Sequence, residues 1–360
     1  MHHATGWRRP EVTWTAGAVF LLMASVYVGS GGFRELDKSL IGYLVGTILF
    51  IGGCAYRLAQ FMGRPQAAMY FRGALRYLFD KDVRRAVKRR QSAKTAAKGL
   101  VMNVAAQDFI WRRGWFRWLL HFNIAWGCLL SFAITFPLVF GWLRFSLVGM
   151  NHYQVVVMGV PTFIFPVESL FGWLLFHALD FTAVMVVLGV VLAYYKRFKT
   201  ERFNVDGRSM WDLLPLHLLM LVALTGLLLT VSSIFLHGAG YTVITLTHQV
   251  LVVILLTFIP FSKLFHFLFR PLAVAVMVYH EAGAEQKHCR NCNEAYAPAN
   301  QIEDLRGVLG TKGFSQPLME AHLKPVPDAE MLDLCPNCKR LYRAWRYIKP
   351  ISSQPRGYQH

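Results

Sequence analysis

Six long apolar runs limit what this chain can fold into more than any other feature. They cover roughly residues 12–29, 39–61, 118–142, 170–195, 211–235 and 241–266. An α-helix needs about 20 apolar residues to cross a hydrocarbon core about 30 Å thick. Lipid satisfies no backbone N–H or C=O group, so such runs fold as helices whose hydrogen bonds are internal. The chain is 55% hydrophobic and 14% aromatic, with a mean hydropathy of +0.36, and the excess lies within the runs. These features predict an all-α integral membrane protein, a six-helix transmembrane bundle followed by a small C-terminal module. Arg8 and Arg9 precede the first run. No clear small-residue cleavage site follows them, so we expect a retained span and no cleaved targeting segment.

The formal charge of +18 is clustered between the apolar runs. Nucleic-acid binding would call for a basic face with interleaved aromatics on a polar domain, which is not the pattern here. The charge reads instead as topology information. Residues 63–117 carry Arg84-Arg85, Lys88-Arg89-Arg90, Lys94 and Lys98, and the fourth run ends in Lys196-Arg197-Phe198-Lys199. The loop that leads through Asn151-His152-Tyr153 to Glu168 carries Arg144 as its one Lys or Arg. The positive-inside rule then puts both termini in the cytoplasm, with six spans in the inner membrane of a prokaryote. The basic loop is either a solvated cytoplasmic helical segment or a docking surface for an acidic partner or anionic lipid. No internal repeat is evident. The expected divisions are an extra N-terminal span over 1–36, a bundle over 37–275 and a polar cytoplasmic tail over 281–360.

Histidines inside the runs carry the next signal, since polar side chains in lipid are costly and tend to be functional. His266 closes the stretch Ile259-Pro260-Phe261-Ser262-Lys263-Leu264-Phe265-His266, and His248 lies 18 positions earlier. On one continuous helix that spacing is five turns, so both imidazoles would share a face about 27 Å apart along the axis. One helix with an imidazole near each membrane surface suggests b-type haem. By depth, His121 of the third run matches His266 at the cytoplasmic level. His217 of the fifth run lies at a similar level, as a rival ligand or a propionate neighbour. On the outer half, His177 of the fourth run matches His248. Asp180 follows His177 by one turn on the same face. It either orients that histidine or accepts a proton beside a quinone. Asp212 opens the fifth run and reads as a residue favoured by the helix dipole.

Cys54 and Cys128 fall inside apolar runs and read as buried apolar-like side chains. The other four cysteines form Cys289-Arg290-Asn291-Cys292 and Cys335-Pro336-Asn337-Cys338 in the tail. Two C-x-x-C pairs at this separation suit one tetrahedral Zn²⁺ site. A rubredoxin-like iron site is the alternative, disfavoured because neither pair is followed by glycine. The tail is too short for a large core without such a staple.

These residues also carry a family resemblance. Phe258-Ile259-Pro260-Phe261-Ser262-Lys263-Leu264-Phe265-His266, with His248 upstream, resembles the last helices of the respiratory nitrate reductase gamma subunit family. That family includes the membrane cytochromes b of heterodisulfide reductase and of the dissimilatory sulfite reductase-linked complex. Arg117-Trp118-Leu119-Leu120-His121 with Trp126-Gly127, Asp180 before Gly189 and Lys196-Arg197, and Asp212-Leu213-Leu214 with Thr225-Gly226 also fit. The resemblance runs from about residue 40 to 272. It implies a five-helix core with one or two haems b, exchanging electrons between membrane quinone or menaquinone and a cytoplasmic iron–sulfur subunit. His121 and His266 match the inner haem pair, and His248 matches an outer ligand. The family's second outer histidine falls ten residues after the first, where this chain has Ser131; His177 is the substitute that depth suggests. The first span and the cysteine tail lie outside the shared core.

The expected function is therefore a quinone-reactive cytochrome b subunit, with His177 and Asp180 as the quinone and proton site. The competing class is a non-haem membrane anchor that recruits a cytoplasmic enzyme through its zinc-bound tail. A transporter would show interrupted helices in corresponding positions of two halves, and this chain has no such symmetry.

Overall fold

The computed structural model describes residues 10–79, 89–200, 208–282, 285–311 and 330–352. Arg8 and Arg9, and Arg84, Arg85 and Lys88 of the basic loop, lie outside them. The described residues are mostly helical. Six of the helices are long and apolar enough to cross a membrane: Pro10–Gly29, Lys38–Met62, Trp115–Val139, Ala178–Lys199, Leu213–Phe235 and Tyr241–Phe261.

The chain divides into two compact units. The first comprises residues 1–61 and 105–269, and the second 62–104 and 270–360. This differs from the expected division, which kept the 63–117 loop with the bundle and set the tail apart. Residues 62–104 of that loop cluster with 270–360, and Ala74, Val274 and Val278 form the buried core there.

In the first unit the helices α1 (Pro10–Gly29), α2 (Ile41–Met62) and α6 (Trp115–Val139) are followed by α8 (Ala178–Thr200), α9 (Arg208–Phe235) and α10 (Tyr241–Phe258), and a single turn, α5 (Asp108–Trp111), leads into α6. The main core holds Phe50 and Cys54 of α2, Val186 and Val190 of α8, Leu219 and Ala223 of α9, and Leu255 and Leu256 of α10, while Leu22 and Val26 of α1 pack with Leu44, Val139 and Phe140. Many large apolar side chains point outward instead, among them Val184, Leu188, Val191, Leu221, Leu224 and Leu228. Core and exterior are equally apolar, so shape must hold the helices together, and small residues let backbones approach. A Cβ on Gly189 would lie 2.6 Å from Ile124 Cγ1 and 2.9 Å from the Leu120 carbonyl oxygen. A Cβ on Gly127 would lie 2.7 Å from Val186 Cγ2 and 3.0 Å from the Thr182 carbonyl oxygen. Because α6 and α8 touch backbone to side chain at both points, Gly189→Leu should separate them. Overpacking of this kind costs about 1–3 kcal/mol, and a lower midpoint in a detergent thermal melt would register it; an unchanged melt would refute the close packing.

Two of the predicted runs are broken. The sixth does not continue as one helix to His266. Pro260 has no N–H to donate and its ring opposes a continuing helix. The chain tightens into 3₁₀ turns at Ile259–Phe261 and Lys263–Phe265, with Ser262 extended between them at φ −102°, ψ 177°. Ser262 Oγ accepts from the Leu264 N–H, and α11 (His266–Ala282) begins afresh at the histidine. His248 and His266 therefore do not share one helical face. The fourth run breaks at His177 (φ −97°, ψ 6°), which ends the short helix α7 (Leu170–Phe176) just before α8.

The all-α expectation also needs correction. The segment expected as a loop between the third and fourth runs folds into an antiparallel sheet, β1 (Leu143–Val148), β2 (His152–Val157) and β3 (Val160–Pro166), in the order β1-β2-β3. Met158 (φ 51°) and Gly159 (φ 81°) both sit in the left-handed region. That is what a two-residue hairpin turn needs to match strand twist.

The second unit joins α3 (Pro65–Phe79) and α4 (Arg89–Gly99) to most of α11 and to the tail elements β4 (Gln286–His288), β5 (Ala295–Pro298), α12 (Ala299–Thr311) and α13 (Pro336–Ser352). Ala74 packs with Val274 and Val278. Tyr70 and Tyr77 flank the buried Tyr279. Helix α12 seats on this aromatic patch through Tyr279 Oη to Asp304 Oδ2 (2.5 Å), Asn300 Nδ2 to Tyr77 Oη (3.1 Å) and Gln301 Nε2 to Tyr70 Oη (2.9 Å). Burial, reinforced by the bond to Asp304, drives the Tyr279 phenol's pKa up, so it stays a hydrogen-bond donor.

Candidate functional sites

His121 and His266 come together although their sequence positions are 145 apart. Their ring centroids are 6.0 Å apart, with ring planes inclined by 62°. Each ring is set by a hydrogen bond at Nδ1. His121 Nδ1 lies 2.8 Å from Gln107 Oε1, and His266 Nδ1 lies 2.8 Å from the Lys263 carbonyl oxygen. An amide or carbonyl oxygen only accepts, so Nδ1 carries the proton in both rings and Nε2 carries the lone pair. The 3₁₀ turns after Pro260 place the Lys263 carbonyl under the His266 ring. His217, the expected rival, bonds the Leu213 carbonyl oxygen (3.0 Å) and lies against Tyr194, with ring centroids 5.5 Å apart.

At the other end of the bundle lies a cavity of about 510 Å³ between the helices. Its lining is mostly apolar, with Asp180, His248, Ser131, Thr230 and Tyr43 as its polar groups of note. Thr225 Oγ donates to the Leu221 carbonyl oxygen and lies 2.9 Å from His248 Nδ1. With that proton committed, the hydroxyl accepts from Nδ1–H, and Nε2 again carries the lone pair. Gly226 makes room for the ring, since a Cβ there would meet His248 Cε1 at 3.4 Å. Asp180 Oδ1 accepts from Thr230 Oγ (2.7 Å) and Oδ2 lies 2.8 Å from His177 Nδ1. Ser131, where the resembled family has a histidine, donates to Thr182 Oγ (2.8 Å).

His177 thus pairs with Asp180, as its place one turn earlier suggested, but at a different level from His248. Asp180 is level with Thr230 on α9, and His248 with Thr225. Five residues of α9 and three between His177 and Asp180 separate the two histidines by roughly 12 Å of helix axis. Phe176, Leu179 and Asp180 line the cavity; His177 is not among its lining residues.

In the tail, Cys289, Cys292, Cys335 and Cys338 present four sulfur atoms within 4.8 Å of one another and could hold one metal ion. The two pairs are built differently. Cys289 and Cys292 sit in the turn of the β4–β5 hairpin, where Asn293 takes the left-handed conformation (φ 59°) in place of a glycine. Asn and Asp tolerate that region better than other side chains. Cys335 precedes α13 and Cys338 lies in its first turn. Hydrogen bonds to sulfur come from the Cys335 N–H to Cys289 (3.2 Å), the Cys338 N–H to Cys335 (3.4 Å) and Asn291 Nδ2 to Cys338 (3.3 Å). Burial pushes the Cys289 thiol up, but N–H groups of Cys292, Cys335 and Asn291 outweigh it and bring the thiol down to about 6. Arg306 ties the halves together by bonding Glu330 (2.9 Å) and the buried Asp333 (3.0 Å).

Gln107, Thr225 and Thr230 were not evident as site residues in the sequence. Nothing in the sequence around Gln107 distinguishes it from other polar residues of the loop. Thr225 stood only within a motif. No protein-family model, curated protein or solved structure matches the chain.

Proposed function

We propose that this chain is a membrane cytochrome b subunit that exchanges electrons between quinone and a cytoplasmic iron–sulfur partner. The observation that carries the reading is the His121–His266 pair. A transition metal lies about 2.0–2.1 Å from an imidazole nitrogen. With each ring centre about 1.1 Å behind its nitrogen, two rings across one metal have centroids ~6.3 Å apart. The 6.0 Å separation fits that spacing, as do the two Nδ1–H tautomers, each held by an oxygen in the manner of a ligating histidine. A bound haem b would supply one-electron chemistry, with its potential set by axial ligation and burial.

The apolar cavity at the other end fits a quinone headgroup better than a second haem. Its lining includes one imidazole, His248, and Ser131 offers a hydroxyl where a second ligand would be needed. Its volume is ordinary for an organic ligand. His248 Nε2 can accept a hydrogen bond from a quinol hydroxyl. Asp180, anchored by Thr230 and joined to His177, is placed to take the second proton. Ser131 stands ten residues along α6 from His121, about 15 Å of helix, so the two sites lie at different depths of one bundle. In this reading the second unit, with a Zn²⁺ ion in its four-cysteine site, faces the cytoplasm, and its basic helices and cysteine module form the docking side for the partner. Four thiolates split between a hairpin turn and a helix start suit a closed structural zinc site.

The test is a dithionite-reduced minus oxidised spectrum of the purified chain, with a pyridine-haemochrome count. One haem b per chain is expected, retained in His248→Ala and Asp180→Asn while both variants slow reduction by a soluble quinol analogue. Absence of a Soret band would overturn the reading in favour of a membrane anchor. Two haems would return His248 to the role of an axial ligand.

A further inference from the structure

Residues 105–107 form a strap beside α6, tied to it by one α6 side chain at each of the three residues. Trp126 Nε1 donates to the Ala105 carbonyl oxygen (3.0 Å), Trp118 Nε1 to the Ala106 carbonyl oxygen (2.7 Å), and His121 Nδ1 to Gln107 Oε1 (2.8 Å). The three donors lie three and five residues apart on α6, so they spread over roughly 140° of its circumference. The strap follows a π-helical stretch, Leu100–Ala105, a form found mostly at functional sites.

Gln107 is the unusual residue within it. Its backbone is left-handed at φ 55°, ψ 40°, a region that side chains other than Gly, Asn and Asp seldom adopt. It is also 5% exposed. A strained, buried amide persists when its surroundings over-determine it, and such residues cluster at functional sites. Here the surroundings are explicit. The Gln107 carbonyl oxygen accepts from the N–H groups of Ile110 and Trp111, which starts the helical turn α5. The two indoles fix the main chain just before it, so the amide has little freedom to turn away from the imidazole.

We propose that Gln107 is the positioning residue of the His121–His266 pair: it holds His121 as the Nδ1–H tautomer in one orientation and tunes the potential of the group the pair ligates. The second half of this statement rests on the haem reading above; the first half does not. An amide oxygen accepting from Nδ1–H makes the imidazole a stronger donor at Nε2, which favours the more positive, oxidised iron. Leucine at 107 removes the acceptor at nearly constant size. Glutamate replaces it with a stronger one.

Two measurements on the full chain in detergent test this. First, ¹⁵N-histidine NMR of haem-free protein, with the His121 resonance assigned by its loss in His121→Ala, should show the Nδ1–H tautomer. In Gln107→Leu the resonance should move to an average of the two tautomers. Second, in haem-loaded protein the midpoint potential should rise in Gln107→Leu and fall in Gln107→Glu, with a six-coordinate low-spin spectrum kept in both. Haem retention under competition should fall about tenfold or more in Gln107→Leu, as for other outer partners of ligating histidines. A wild-type His121 in the Nε2–H tautomer, or one unaffected by Gln107→Leu, would overturn the proposal. Potentials that move the same way in both variants would overturn its tuning half. A chain that takes up no haem refutes the haem reading and with it the tuning half, while the tautomer measurement still decides the positioning. Trp118→Phe is the variant to use if Gln107→Leu misfolds: it loosens the strap with the amide intact, and a smaller shift of the His121 resonance in the same direction is expected.

Discussion

Replacing either His121 or His266 with alanine should abolish haem binding, with the protein still inserted in the membrane at near-normal yield. The loss should be complete because, in the proposed haem site, each residue would provide one of two axial bonds. Removing one ring leaves a gap that no described neighbour is placed to fill: Gln107 and the Lys263 carbonyl oxygen are both directed at the rings themselves. Yield should survive because His266 is exposed and His121 half-buried. Truncating a side chain that is not packed in the core changes stability little, within about 0.5–1 kcal/mol. His217→Ala is the informative control. Its ring is engaged with Tyr194 and the Leu213 carbonyl oxygen, so haem content should be unchanged. Haem lost in His217→Ala while surviving in His121→Ala would exchange their roles.

The second large effect concerns the tail. Cys335→Ser, or stripping of the metal by a strong chelator, should unfold the module built from β4, β5 and the start of α13. Its core is small: Cys289, Met331, Leu334, Cys335, Cys338 and Tyr342, with Tyr296 packed against them. Three of these seven are ligands themselves, so removing the metal leaves thiols facing one another where bonds had been. Structural Zn²⁺ contributes about 10–16 kcal/mol in small metal-dependent domains, as much as the entire stability of an ordinary domain, about 5–15 kcal/mol. Limited proteolysis should then cut between residues 285 and 345, with metal analysis falling from one equivalent per chain to none. A module that resists protease after the metal is gone would show that the Tyr296 bond to the Leu332 carbonyl oxygen and the Arg306 bridges suffice. Acid should act in the same direction. Binding needs thiolates, so protonation of the four sulfur atoms competes with the metal.

The three kinds of site were legible in the sequence to different degrees, for physical reasons. The four-cysteine cluster was fully visible, since ligand spacing is a local property of the chain. The difference between its two halves was not: one pair sits in a hairpin turn, while the other opens a helix that starts at Pro336. The His121–His266 pairing came from comparing depths across helices, and the rings do meet. The route to it was partly wrong, because the helix assumed to carry both His248 and His266 ends at Pro260. The break matters to the site. In the tightened turn the Lys263 carbonyl oxygen meets both the His266 N–H and its ring Nδ1. His177 and His248, matched by depth only to within three turns, bond different partners at different levels.

The β-sheet between the third and fourth long helices was missed for another reason. Its strands are six or seven residues long and lie among far longer apolar runs, where a period of two is hard to see. The residues of the turn, Met158 and Gly159, are not a strong turn signal.

What the sequence determined by itself is the set of elements that local composition governs. Runs of apolar residues make six helices long enough to cross a bilayer, because the backbone has no other way to satisfy itself in lipid. C-x-x-C spacing likewise brings together four cysteines that could hold a metal ion. Tertiary structure alone decided which histidines share a site, which share a cavity, and that a buried glutamine in a strained conformation orients one of them. Those relations depend on close backbone contacts at Gly127 and Gly189 and on a helix break at Pro260. Each sums short-range forces between segments distant in sequence, and no local pattern records that sum.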